Sequence, residues 1–180
     1  MDNQEHHRTS QMGKWMVYLA WILFLGLSTV FFNNYLEKQH NPNIVIQSQV
    51  GADNTIEVIL QQSRYGHYVT NGEINGKPVI FLLDTGATNI SIPNRTAKRL
   101  GLKRGVPMSV RTANGTITVY NTKLNTVAIG PIVLHGLRGD INPHMEGDEI
   151  LLGMNFLKHL ELIQRGKELM LRQIPKAQSS

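Results

Sequence analysis

Cysteine is absent from the 180 residues, which excludes a disulfide framework, a thiolate nucleophile and any cysteine metal site. Such a composition suits an oxidising compartment, where stray thiols are a liability. Charge is sparse at 17%, and aromatic residues make up only 7%. With no recognisable nucleic-acid module, these numbers argue against a nucleic-acid partner. The net charge of +5 is spread along the chain. Its densest group, Lys98, Arg99, Lys103 and Arg104, reads as the solvated side of a short helix and the turn after it. Serine catalysis lacks its Gly-x-Ser-x-Gly signature, and Ser91 sits in a strand-like run. His135, Asp140, His144, Glu146, Asp148 and Glu149 match no metal-ligand spacing and read as a solvated polar loop. No metal and no cofactor are expected. His67 reads as a loop or edge residue without a catalytic role.

What the chain does have begins with a long apolar run. Residues 15–32 carry no charge over 18 positions, and as a helix they would extend roughly 27 Å, close to the hydrocarbon thickness of a bilayer. Trp15, Tyr18 and Trp21 at one end and Tyr35 past the other suit the interfacial aromatic belts. A buried core helix seldom runs this long without a polar face, so a transmembrane helix is expected. Arg8 and Lys14 precede it and Lys38 follows. The positive-inside bias therefore puts residues 1–14 in the cytoplasm and the rest outside the inner membrane, on the periplasmic or extracytoplasmic side. No small-x-small cleavage site follows the run, so the anchor is expected to stay attached.

Residues 33–62 read as a tether. Asn33-Asn34, Asn41-Pro42-Asn43 and Gly51-Ala52-Asp53-Asn54 are loop formers, and Ile56, Val58 and Leu60 alternate as one terminal strand. Residues 63–174 form the domain, and residues 175–180 a frayed tail. Asn75-Gly76 predicts a hairpin between strands 68–74 and 77–83. Pro93 opens a helix over 94–100 that Gly101 ends. A second hairpin turns at Asn114-Gly115, between strands 106–112 and 116–119. Further strands are expected at 123–129, 132–137, 161–163 and 169–171, with a second short helix over 154–160. Many short strands and few helices predict a mainly β fold, a small closed β barrel.

Ile80-Phe81-Leu82-Leu83-Asp84-Thr85-Gly86-Ala87-Thr88 is the most informative stretch. An apolar strand delivers one carboxylate into a turn, where Gly86 permits close backbone approach. Taken alone, an Asp-Thr-Gly β-turn is ordinary turn chemistry. A second segment, Glu149-Ile150-Leu151-Leu152-Gly153-Met154-Asn155-Phe156-Leu157, runs from a short apolar strand through glycine into a helix-capable stretch. Together these resemble the active-site turn and the hydrophobic-hydrophobic-Gly element of retropepsin-type aspartic proteases, over about residues 66–172. Gly-Met-Asn-Phe-Leu, Gly66-His67-Tyr68 and the 72–76 hairpin are closest to the bacterial, membrane-anchored branch. Retroviral members usually carry arginine where Met154 stands, so no dimer ion pair is carried over.

The resemblance implies Asp84 as the catalytic carboxylate in the turn Thr85, Gly86, Ala87 and Thr88. It also implies Leu151, Leu152 and Gly153 as the supporting strand. Thr112, Ala113, Asn114, Gly115, Thr116 and Ile117 would be a flap that closes over an extended peptide. Acid–base hydrolysis of this kind uses two carboxyls, and the chain has one Asp-Thr-Gly. Asp53, Asp140 and Asp148 lack the glycine turn. The second carboxylate is therefore expected from another copy, in an obligate homodimer. Apolar positions near Ala87, Ile90, Ile117 and Ile150 suggest apolar substrate side chains. The function implied is a membrane-anchored aspartic endopeptidase. The rival is a non-catalytic, peptide-binding envelope module on the same dimeric barrel. No positive feature favours a third option, cyclic-ligand or polysaccharide binding.

Overall fold

The computed structural model describes residues 5–51, 55–112 and 115–173. The chain separates into two units, residues 1–38 and 39–180. The first is most of a single helix, α1 (Glu5–His40). Its large side chains from Trp15 to Leu36 are all more than half exposed on every face, which leaves no buried stripe of the kind that a core helix shows. Within α1, the stretch Lys14–His40 is long and apolar enough to cross a membrane. The helix continues past residue 32 and through Asn33-Asn34, where loop was expected, because no proline or glycine interrupts residues 27–40.

The second unit is mainly β. In chain order it holds β1 (Gln47–Val50), β2 (Ile56–Gln61), β3 (Tyr68–Ile74), β4 (Lys77–Leu83), β5 (Ile90–Pro93) and α2 (Asn94–Leu100). These are followed by β6 (Pro107–Thr112), β7 (Gly115–Ile129), β8 (Ile132–Asn142), β9 (Ile150–Leu152), α3 (Met154–Leu157), β10 (Glu161–Arg165) and β11 (Glu168–Gln173). One sheet runs β3-β4-β9-β5-β8-β7-β6, and a further pairing of β3 with β7 brings it back on itself. A four-stranded sheet, β1-β2-β11-β10, accompanies it. The core between them includes Phe81, Ile90, Ile92, Ile150, Leu152, Phe156, Val58 and Leu171.

The β3–β4 hairpin turns as expected, because Asn75 (φ 52) and Gly76 (φ 71) supply the two positive φ angles that a tight hairpin of this twist requires. Two expectations are corrected. The strands at 116–119 and 123–129 are one strand, β7, since residues 116–129 hold no glycine or proline to break them. The end of the presumed tether is part of the sheet. β2 pairs with β11 from Ile56↔Gln173 to Gln61↔Glu168, and Arg172 Nε donates to Glu57 Oε1 at 2.8 Å. Gln49 and Arg172 together hold the Glu57 carboxyl below its ordinary range. Asn43, 3% exposed, donates to the carbonyls of Gln61 (2.9 Å) and Val69 (2.7 Å), and accepts from the Gln61 N–H at 2.7 Å. A loop-forming asparagine thus stitches β2 to β3.

Candidate active site

β4 ends at Leu83, and the next residue is Asp84. The turn after it is held at Asp84, Gly86, Ala87 and Thr88. Gly86 N–H donates to Asp84 Oδ1 at 2.8 Å, fixing the carboxylate against its own turn. Asp84 N–H donates to the Leu152 carbonyl at 3.2 Å and Ala87 N–H to the Asp84 carbonyl at 3.2 Å. From the far side, Met154 N–H reaches the Ala87 carbonyl at 2.8 Å and Asn155 N–H the Thr88 carbonyl at 2.9 Å. β9 and the start of α3 therefore brace the turn. This is a local reason for glycine at 153. A Cβ there would lie 2.6 Å from the Ala87 carbonyl oxygen and closer still to that of Asn89, and both are backbone atoms that cannot swing away.

Thr85, Gly86 and Thr88 are exposed, while Asp84 and Ala87 are half-buried. Beside Asp84 and Thr85 opens a hollow of about 290 Å³ lined also by Tyr68, Leu157, Leu162 and Leu169. The Tyr68 hydroxyl is buried there, with no hydrogen-bond partner among the described residues.

Strand alternation divides the residues around the turn between two faces. Phe81, Ile90, Ile92, Ile150 and Leu152 point into the core. The opposite face carries a row across the sheet, given by the pairs Leu82↔Leu151, Leu151↔Ser91, Ser91↔Asp140 and Asp140↔Asn121. Asp84 lies two residues beyond Leu82, so continued alternation puts it on this same face. Ile90 and Ile150, expected to line a substrate pocket, are 0% exposed and do not. Leu82 and Leu151, on the opposite face, are partly exposed and outside the core cluster.

Asp140 is a second correction. In place of a solvated loop, it lies in β8 with 4% of its surface exposed. Ser91 Oγ donates to its Oδ1 at 2.7 Å. Burial pushes its carboxyl up from the ordinary range, and bonds from Ser91 and Asn89 offset part of that. Asp148 and Glu149 pair with Arg95 (3.6 Å) and His40. Among the described residues, no three of the histidines and acids come together as a metal site.

β6 and β7 form a two-stranded arm, paired from Pro107↔Tyr120 to Thr112↔Gly115. Among the described residues β6 has no other strand partner, which makes this arm an edge of the sheet. Gly115, Thr116 and Ile117 lie on it, and Thr112 ends its first strand. Ala113 and Asn114, the expected tip, fall outside the described residues.

A family model described as "gag-polyprotein putative aspartyl protease" matches residues 70–159, a span that holds Asp84, the β6–β7 arm and Gly153. An uncharacterized protein in the cobV 5′ region of Sinorhizobium sp is 37% identical over 120 residues, 64% of this chain and 52% of that protein. The uncharacterized protein RP867 of Rickettsia prowazekii (strain Madrid E) is 30% identical over 118 residues, covering 64% and 50%. The chain spans about half the length of both relatives. Among solved structures, a retropepsin-like aspartic protease from Rickettsia conorii superposes with a TM-score of 0.57 at 28% identity, covering 71% of this chain and 95% of that one.

Proposed function

The chain belongs to the gag-polyprotein aspartyl protease family, and on that premise we propose that it is a membrane-anchored aspartic endopeptidase whose active site forms across a homodimer. The observation that carries the reading is the braced turn at Asp84. An apolar strand, a backbone N–H on the carboxylate and two flanking elements hold a single, half-buried acid in place. Residues 15–32 anchor the enzyme, and residues 63–174 together with β2 form the catalytic unit outside the membrane.

Asp84 and its symmetry mate would stand close enough to share one proton, since two adjacent carboxyls do not both ionise. Aspartic proteases are themselves the standard example of this coupling, and the two titrations belong to the pair. The ionised carboxylate takes a proton from a water held between them. That oxygen attacks the scissile carbonyl, whose oxygen receives the proton from the partner acid. Collapse of the tetrahedral diol breaks the C–N bond as the amine is protonated, so no covalent enzyme intermediate forms. The exposed Thr85 would brace one turn against the other. A second copy seated over the hollow at Asp84 would also cover the buried Tyr68 hydroxyl. The β6–β7 arm would close over an extended substrate, pairing with its backbone, while Leu82 and Leu151 meet the side chains beside the scissile bond.

Wild type and Asp84→Asn, each full length in neutral detergent, separate enzyme from binding module when incubated with a denatured-protein mixture. Fragments found only with wild type support the reading. Turnover should fall by about a thousandfold or more in the variant, with folding and dimerisation kept. Equal cleavage by both, or none by a wild-type dimer, would overturn it.

A further inference from the structure

A cavity of about 580 Å³ lies at the root of the β6–β7 arm, and its lining does not include Asp84 or its turn. Its volume is in the range of small-molecule sites. Four cations line it: Lys103 and Arg104 from the segment between α2 and β6, Lys123 from β7 and Arg138 from β8. Among the described residues, no acid does. The ion pairs of the described residues lie elsewhere, on Glu57, Glu149, Asp148 and Glu161. Lys123 and Arg138 are directly opposite on antiparallel strands, an arrangement of like charges that destabilises a sheet when nothing neutralises it. Arg104 is already positioned, since its Nη2 donates to Asn94 Oδ1 at 2.7 Å and its guanidinium lies 4.6 Å from the Tyr120 ring centroid.

The cavity wall is bonded to the arm. Gly105 N–H donates to the Asn121 carbonyl at 2.7 Å, and Asn121 N–H to the Val106 carbonyl at 3.1 Å. A Cβ on Gly105 would strike the Asn121 side chain and lie 2.9 Å from its carbonyl oxygen, so glycine permits this closeness. β7 runs unbroken from there to Gly115.

We propose that this cavity is a binding site for an anion bearing two or more phosphate groups, which would neutralise the Lys123–Arg138 pair and clamp the root of the arm. Phosphate fits because its oxygens accept several charge-assisted hydrogen bonds at once, and the cations come from three separate segments, as a ligand with more than one charged group requires. The binding claim stands apart from the protease reading. An effect on cleavage, through restraint of the arm, would rest on it.

The test uses full-length protein in neutral detergent, with inorganic pyrophosphate as the probe in calorimetric titration. Saturable binding is expected, weakening steeply with added salt. The double variant Lys123→Gln/Arg138→Gln should lose about tenfold or more in affinity, and Lys158→Gln should lose none. Absence of saturable binding, or equal loss in the control, overturns the site. A second readout guards against misfolding: without anion, Lys123→Gln alone should raise Tm, and a fall would show that the pair is not repulsive and overturn the argument. Reconstitution into nanodiscs of cardiolipin, which carries two phosphates, or of phosphatidylcholine then separates the sources. Competition with pyrophosphate by the anionic lipid alone identifies a headgroup, and no competition a soluble phosphate compound. Binding of acidic polypeptides but not pyrophosphate would overturn the assignment.

Discussion

Asp84, just past the end of β4, and Asp140, within β8, stand in opposite circumstances. Asp84 is half-buried at the end of a strand and takes a backbone N–H. Asp140 is buried among Ser91 and Asn89 and has no cationic partner among the described ion pairs. A carboxyl whose folded pKa is raised favours the folded state while protonated. That contribution is present below the unfolded pKa and is lost as pH rises through the folded one. Asp140→Asn removes the titration while keeping an acceptor for Ser91. Its Tm should exceed that of wild type by a few degrees at about pH 7.5, the gap narrowing toward about pH 4. Thermal melts across that range check this, and a variant less stable at both ends would contradict it. The motif around Asp84 was legible in the sequence because a turn is local. The burial of Asp140 was not, because it depends on β5 and β8 pairing across 49 residues. Nor could the two faces of β9 be told apart. Ile150-Leu151-Leu152 is apolar at every position, so alternation gave no phase, and a one-residue slip exchanges its core face for the other.

At the level of elements, turn chemistry and helix boundaries carried the sequence expectations furthest. Strands 68–74 and 77–83 and helix 94–100 have their expected limits, since Asn-Gly and Pro…Gly punctuate the chain where they stand. Pairing between distant segments was invisible. β2 joins β11 across more than a hundred residues, and Asn43, read as a loop former, makes three hydrogen bonds between β2 and β3. Asn43→Ala should cost about 2–4 kcal/mol, measurable by urea denaturation. A chain beginning at Gln39 should fold, and one beginning at Ser63 should not, by circular dichroism. Gly153→Ala drives a Cβ into the carbonyls of Ala87 and Asn89. It should cost about 3 kcal/mol or more and remove activity together with stability, because the brace on the Asp84 turn must shift. Unchanged melting would show that the turn yields freely.

On the scale of the whole molecule, the chain joins a helix apolar all round to a β unit of the retropepsin-like kind. Both parts announce themselves in the sequence, one by an uncharged run and the other by two short motifs. Confinement to a membrane plane raises the effective concentration of partner copies, which matters if each copy brings half of an active site. The most direct test is to co-express differently tagged full-length wild-type and Asp84→Asn chains in equal amounts, let them assemble, and measure specific activity against wild type alone. If two Asp84 carboxyls make one site, only dimers of two wild-type chains cut, and activity falls to about one quarter. About one half, the value for chains that each carry a complete site, would contradict the shared dyad.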